Sequence, residues 1–538
     1  MQIQELFYCA VLIAVFYILV TTVPRRWLDL WENFERGLQA LARRKNLSCV
    51  AAGLLVLGVR AALLPVWPVP QPSVYDEFSY LLQADTFAHG HLTNPPHPLW
   101  RFFESTYILQ QPTYASRFPP GPALAMALGQ VIFGHPWFGI WLSAGLLAAA
   151  LCWSLQGWLP PGWALLGTFI SINLCLFSYW MNSYWGGAVT ALGGALVVGA
   201  WVRITRAKQW RYAWHFAIGA VIVVLARPFE GLVLLVPSLV TLGRATRSAR
   251  VWIPIVLAGV MGASWLAYDN YRITGHPLRL PYRQYYLEYE TVPPFWFMPS
   301  SSPAPGFAEF DLTSRTFDTY KRARSWRLLV DRPLDWLILL VTYLGNLAWL
   351  FPPAAFAALV WHSRRTRFAM ILALIMGAAS LLEVWWYPHY GAPLTAVVLI
   401  LVTQSLRYLR QWRWGQREIG LFLVRAMSVA ILVLMVATEA RAIAKHQTAN
   451  ELQAKNRLKK KAEEQLLAMH PGKHVIFVRY TEPGPHSEWV YNPAKIDDAP
   501  VIWAHDLGQE ENERLRRYYA DRSFWLFEPD KSMRIVSY

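Results

Sequence analysis

Two adjacent carboxylates, Asp76 and Glu77, stand in Val74-Tyr75-Asp76-Glu77-Phe78-Ser79-Tyr80, ahead of a helical stretch through Asp85, Phe87 and His89-Gly90. An acidic pair near a membrane surface suits a general base, or the ligand set of a hard divalent cation, when burial tunes one of its pKa values. The competing reading is an exposed helix N-terminus, where acids meet the macrodipole favourably. His89, His91 and His97 invite a metal reading with Asp85 or Glu104, but no recognised zinc spacing is present. The metal set is therefore unknown from sequence, and no cofactor is certain beyond a candidate divalent cation at the acidic pair. No P-loop or dinucleotide fingerprint appears, which argues against nucleotide-driven transport and soluble dehydrogenase chemistry.

The elements that must position these residues follow from composition. Of 538 residues, 55% are hydrophobic and 16% charged, against about a quarter charged in a soluble chain. The apolar residues come in runs of roughly the length that crosses a bilayer, so the chain is read as a polytopic membrane protein. A formal charge of +16 could suggest nucleic acid. The basic residues cluster in short links between apolar runs, however, and retention of those links in the cytoplasm explains them without a nucleic-acid partner. The four cysteines, Cys9, Cys49, Cys152 and Cys175, lie in or beside apolar segments and read as packing residues. The 28 Trp and 25 Tyr fit interfacial belts and sugar-stacking sites alike.

Charge clusters orient the runs. The first, about 7–22, lacks a cleavage signal and is expected to be an anchor; six basic residues place 24–47 in the cytoplasm and send the run 48–66 outward. Later spans are expected at about 137–155, 161–178, 186–203, 212–226, 231–243, 250–268, 345–361, 368–386, 390–406 and 420–438, about twelve in all. Residues 121–134, opened by Pro119-Pro120-Gly121-Pro122, are too short to cross and read as a juxtamembrane or re-entrant helix. For 334–344, a broken helix and a surface helix both stay open. The fold class is thus an α-helical polytopic membrane protein with large external loops and a small C-terminal α/β domain. Residues 1–46 form an anchor helix and cytoplasmic loop, 47–439 the transmembrane domain with external loops at about 67–136 and 269–333, and 440–538 the α/β tail, placed outside. In the tail, strands are expected at His474–Tyr480, Pro500–Ala504 and Ser523–Phe527, and a helix at Glu510–Ala520.

An acidic pair just after an outward span, followed by Asn94-Pro95-Pro96-His97-Pro98, Phe102-Phe103-Glu104 and a stretch from Pro112 through Arg117-Phe118-Pro119-Pro120-Gly121, resembles the GT-C superfamily of membrane glycosyltransferases. Protein O-mannosyltransferases and lipid A aminoarabinose transferases belong to it. The likeness covers most of the membrane region and is sharpest at Asp76-Glu77 with Tyr80, Ala84 and Gly90. It implies a catalytic acid in the first external loop, a polyprenyl-phosphate sugar donor reached from membrane lipid, and a glycan, lipid or protein acceptor. The setting it implies is the external, periplasmic face of a bacterial inner membrane. Asp76 then becomes the catalytic base and Glu77 its helper or substitute, with Tyr75, Tyr80, Asp85 and Glu104 helping to hold substrate.

A lipid phosphate favours arginine at the outer interface. Arg117 and Arg227, in Ala226-Arg227-Pro228-Phe229-Glu230, are the candidates, although Arg227 pairing with Glu230 is an equal alternative; Arg60 lies inside a span, to be neutralised by an acid, to snorkel or to touch substrate. Asn182, Tyr184 and Trp185 lie in an aromatic external turn able to hold a sugar or simply to form a belt. His389-Tyr390 with Pro393 resembles an Arg-Tyr-x-x-Pro element in which His replaces Arg, so contact with phosphate there would depend on pH. In the tail, Trp489, Tyr491 and Asp497-Asp498 are candidates for acceptor glycan contact. The alternative function is a secondary transporter or lipid flippase, but no convincing internal repeat of the kind such proteins carry is visible.

Overall fold

The computed structural model describes residues 25–300, 312–444, 451–480, 489–531 and 534–538, with isolated positions between 11 and 18. The anchor expected at about 7–22, and Cys9, therefore lie outside the continuously described residues. Segment 25–43 is a helix rather than a loop, tied to the bundle by Glu35, whose two carboxylate oxygens accept from Arg425 Nε at 2.9 Å and Nη2 at 2.6 Å.

The chain is a multi-pass membrane protein. Among the described residues, seven helices are long and apolar enough to cross: Lys45–Ala62, Trp137–Trp158, Gly187–Thr205, Pro228–Ala245, Ala249–Thr274, Ala392–Leu409 and Ile419–Arg441. The runs expected as spans at 161–178, 212–226 and 368–386 give shorter apolar helices, Pro161–Phe177, Trp210–Ala226 and Arg367–Ser380. At about 1.5 Å per residue these rise less than the ~30 Å hydrocarbon thickness. Among the described residues, which leave out most of the run at 7–22, the count stands at seven, or eight with one bent pair; twelve were expected for the whole chain. Residues 334–344, left open from the sequence, lie in the first helix of that pair, a broken span or a re-entrant loop. Helix Leu328–Leu344 ends at Gly345, whose φ of +70° no L-residue adopts cheaply, and the chain turns 105° into Ala348–His362. Asn346 caps the new turn by accepting from the Ala348 N–H at 2.8 Å.

Helix Gly121–Phe133 is, as expected, too short to cross. Gly121 lets its start lie against the end of Trp210–Ala226: a Cβ there would fall 2.8 Å from Ala226 N. Gly194 plays the same part for the turn Ala392–Leu394, since a Cβ there would fall 2.1 Å from Pro393 O. These two close approaches bring Arg227 and Tyr390 toward the first external loop.

In that loop, β1 (Ile108–Leu109) and β2 (Ala115–Ser116) form a short antiparallel ladder. The tail contains β3 (His474–Val478), β4 (Val501–His505), β5 (Ser523–Phe527) and β6 (Ile535–Ser537), in sheet order β4-β3-β5-β6; the first three are parallel and β6 is antiparallel to β5. β6 is an addition to the three strands expected. One sheet face packs on helix Glu451–Met469 through Ile476, Val478 and Trp503 against Leu466. The other buries Val475, Phe477, Ile502 and Ala504 with Leu82, Phe102, Phe103, Ile108 and Tyr114 of the first loop. Loop and tail therefore lie on the same side of the membrane, because they share one apolar core.

Candidate active site

Helix Tyr75–Ala88 begins after Val74, which is extended. Neighbouring side chains on a helix point about 100° apart, and the acidic pair is split accordingly. Glu77 is fully buried. Its Oε2 accepts from the Ser73 N–H at 2.6 Å, the Ser73 hydroxyl at 2.8 Å and the Val74 N–H at 3.1 Å, while its Oε1 accepts from the Tyr184 N–H at 2.8 Å. It thus caps the helix that carries Asp76 and clasps that helix start to the turn at 178–187. Burial pushes its carboxyl up, and these donors work against the rise. The helper or substitute role expected for Glu77 is not what this geometry provides, because its acceptor positions are spent on the chain itself. For the same reason the two acids do not converge on one cation. Among the described residues no group of three or more His, Cys, Asp and Glu side chains is arranged to hold a metal ion.

Asp76 faces the other way, into a cavity of about 160 Å³ lined also by Tyr107, Arg117, Tyr282, Tyr285, Glu290 and Tyr390. Burial raises its carboxyl above the ordinary value; the positive charges of Arg117 and Arg227 and its own backbone N–H oppose that rise. Arg117, buried, is ion-paired with Glu290 and stands in a cage of rings. Its guanidinium carbon lies 3.5 Å from the Tyr107 centroid, 4.5 Å from Tyr282 and 5.0 Å from Tyr285. Its Nε has no hydrogen-bond partner among the described residues. Arg227 lies 4.1 Å above the Tyr390 ring and pairs with Glu230 at 3.6 Å, the pairing weighed for it from the sequence, and its charge also acts on Asp76. Helix Leu328–Leu344 braces the far wall, where Tyr343 donates to Pro388 O at 2.9 Å and Arg332 to Glu383 O at 2.5 Å.

Other residues picked from sequence lie behind this cavity or away from it. Tyr75 meets Tyr107 edge-on, and Tyr80 stacks on Phe118. Asp85 ties two elements together, accepting from Gln130 Nε2 at 2.9 Å and from the Ala494 N–H of the tail at 2.9 Å. The Glu104 carbonyl accepts from His505 at 2.7 Å. Asn182 is a brace: its amide donates to Leu176 O and Ser178 O, and its oxygen accepts from Arg60 Nε at 3.2 Å. Arg60, fully buried, has no acidic partner among the described residues; it reaches past the end of its helix to donate to Trp67 O and Pro68 O and lies over Trp67 and Trp137. Tyr184 donates to Pro70 O at 2.9 Å, and Trp185 packs on Tyr179 and His389.

His389 is buried beside the Tyr179 hydroxyl at 3.1 Å; burial and the charge of Arg227 hold it well below the ordinary histidine value. It is therefore neutral near pH 7, and any pH dependence at this position lies below the ordinary histidine range. Trp489 is buried against Trp503 and Phe527 and Tyr491 packs on Phe78, whereas Asp497, although it meets His97 and Tyr519, and Asp498 are exposed. Sequence reasoning missed Tyr107, Glu290 and Tyr387, and also Tyr282, Tyr285 and Tyr289, whose three- and four-residue spacing puts them on one face of helix Pro281–Tyr289.

Among solved structures, the chain is similar to ArnT from Cupriavidus metallidurans bound to undecaprenyl phosphate, at 13% identity and a TM-score of 0.50, covering 90% of this chain and 92% of that one. The apo state of the same ArnT gives 14% identity and a TM-score of 0.47 over 89% and 94%. The oligosaccharyltransferase of Archaeoglobus fulgidus in its apo form gives 12% and 0.43 over 80% and 62%. No protein-family model matches the chain, and no curated protein matches it by sequence. At these identities what is shared is the fold. The chain shares the fold of ArnT, in agreement with the fold implied by the resemblance carried by Asp76-Glu77 and the Pro-Pro-Gly stretch.

Proposed function

We propose that the protein is a membrane glycosyltransferase that moves a sugar from a polyprenyl-phosphate donor to an acceptor hydroxyl at the external face of a bacterial inner membrane. The observation that carries this reading is the carboxylate of Asp76, which unlike Glu290 is not ion-paired with Arg117, in a small cavity shared with Arg117 on a GT-C fold. ArnT, the neighbour of matching length, is solved with undecaprenyl phosphate, which supports a donor of that class.

In this reading the Asp76 carboxylate takes the proton of the acceptor hydroxyl as its oxygen bonds to the anomeric carbon. The bond from that carbon to the phosphate oxygen breaks with its electron pair, and polyprenyl phosphate departs from the opposite face, which inverts the centre. Arg117 meets the growing charge on the phosphate, sharing or exchanging its present partner Glu290, and Arg227 adds positive potential behind Tyr390. The tyrosine cage keeps water from Arg117 and strengthens both interactions. If the reaction uses a divalent cation, Asp76 would hold it without Glu77, whose oxygens are occupied. The acceptor is a glycan, lipid or protein hydroxyl. The test is transfer from radiolabelled polyprenyl-phosphate sugars in membranes containing the native protein or Asp76→Asn. A lipid flippase would instead move the donor across the bilayer with no transfer and with indifference to that substitution.

A further inference from the structure

The tail carries a second cavity that the reaction described above does not use. It has a volume of about 640 Å³, four times that beside Asp76, and lies in the range of roughly 300–1,000 Å³ typical of small-molecule sites. It opens where the chain leaves β3 and β4, at Arg479 and Asp506, and runs beside helix Gln509–Tyr518 toward β6. β3 lies between β4 and β5, so the strand order reverses there. Crevices outside the carboxyl ends of parallel strands at such a reversal are where open α/β sheets take ligands. The docking of the tail on the first loop, through Val490, Asn492, Ala494 and Tyr519, leaves this crevice uncovered.

Several polar groups of the crevice come as donor and acceptor couples. Arg479 Nε donates to Asp506 Oδ2 at 2.5 Å, and Arg516 to Glu513 at 3.1 Å. Asn512 donates to Asp506 Oδ1 at 2.6 Å and to the Tyr538 hydroxyl at 2.9 Å, which fixes that ring at the rim. An anion entering here meets Asp506, Glu513 and, near Arg479, Glu528; a cation meets two guanidinium groups. Asp506 also accepts from the Gly508 N–H at 3.0 Å and so braces the crevice. That leaves Arg479, Gln509 and the exposed Arg516–Glu513 couple to meet a neutral ligand whose adjacent hydroxyls both donate and accept, while Leu526 and the Tyr538 ring offer apolar surface to its C–H faces. The geometry points to a binding crevice for a neutral saccharide longer than one ring. As an acceptor-glycan subsite it rests on the transfer reading; as a saccharide site it stands without it.

The test is saturation-transfer NMR on the full-length protein in detergent, with cellobiose, maltotriose and N,N′-diacetylchitobiose as probes, and inorganic phosphate and digalacturonate as charged comparators. The crevice predicts signal from at least one neutral saccharide. That signal should fall at least fivefold in Gln509→Ala and Arg516→Ala, whose side chains are exposed enough to spare folding, and persist in Asp76→Asn. Three results overturn it: no signal from any neutral probe, a signal that ignores the tail substitutions, or binding confined to the charged comparators. Loss of transfer activity with saccharide binding intact would count against the enzyme reading alone.

Discussion

Asp76 and Glu77 are neighbours in sequence and both are pushed toward the protonated form by desolvation, but Glu77 is fully buried while Asp76 is half-buried at the wall of a cavity, and their surroundings differ in kind. Around Glu77 three backbone N–H groups and one hydroxyl converge on a single carboxylate. Around Asp76 the compensation comes from two guanidinium groups acting at a distance across a cavity. A carboxylate surrounded by short donors holds structure, whereas one balanced by charge across an open space keeps its lone pairs for a substrate. Type and spacing alone could not separate the two; the count of donors aimed at each does.

The sharpest way to break this contrast is Asp76→Asn. Loss of a general base should lower transfer by about 10²–10⁴. The folded-state pKa of Asp76 is raised, so its ionisation costs stability at every pH above the unfolded value, and that cost grows as pH rises toward the folded pKa. The neutral amide is therefore expected to leave the thermal midpoint unchanged or higher at pH 7, measured with activity on the same preparation. Next in size is Arg117→Ala, expected to lower transfer by about 10²–10³. Arg117→Lys should recover only part, since a lysine lacks the planar fork that fits both Glu290 and a phosphate.

Glu77→Gln should reverse the pattern of Asp76→Asn. An amide cannot accept on both sides, so at least one buried donor loses its partner, at about 1–3 kcal/mol. The thermal midpoint should fall clearly, with transfer per folded molecule reduced much less than in Asp76→Asn. The smallest effect is expected in the pH profile. Activity should be lost on the acid side as pH falls through the raised pKa of Asp76, at a pH above the ordinary carboxylate range. His389→Gln should leave that limb in place and create no new one near pH 6.5, because the buried histidine is already neutral there. A shift of the limb in His389→Gln would place the histidine, not Asp76, at the titrating step.

What the sequence revealed was local. The helix after Val74, the short juxtamembrane helix opened by prolines and the strand Ser523–Phe527 follow from patterns within ten or fifteen residues, and each is present. The capping position of Glu77, three residues after Val74, was readable too, but an acidic pair draws the eye to chemistry first. The opposite wall of the cavity was not readable. Glu290 reaches Arg117 across 173 residues, and only the tyrosine spacing from 282 to 289 hints that one face of that helix is spoken for. From the sequence the tail read as a small α/β domain of its own. Its core instead includes Leu82, Phe102, Phe103 and Tyr114, so truncation would strip cover from the very loop that carries Asp76. Point substitutions in the 640 Å³ crevice are the cleaner probe of the tail.

The most direct measurement is transfer from a panel of radiolabelled polyprenyl-phosphate sugars by native protein, Asp76→Asn and Glu77→Gln, each with its thermal midpoint recorded in the same membranes or detergent. Transfer by the native protein, abolished in a fully folded Asp76→Asn and partly retained in a destabilised Glu77→Gln, is the predicted result. Undiminished transfer in Asp76→Asn, or its abolition in a Glu77→Gln protein that melts like the native one, would contradict the division of labour between the two acids.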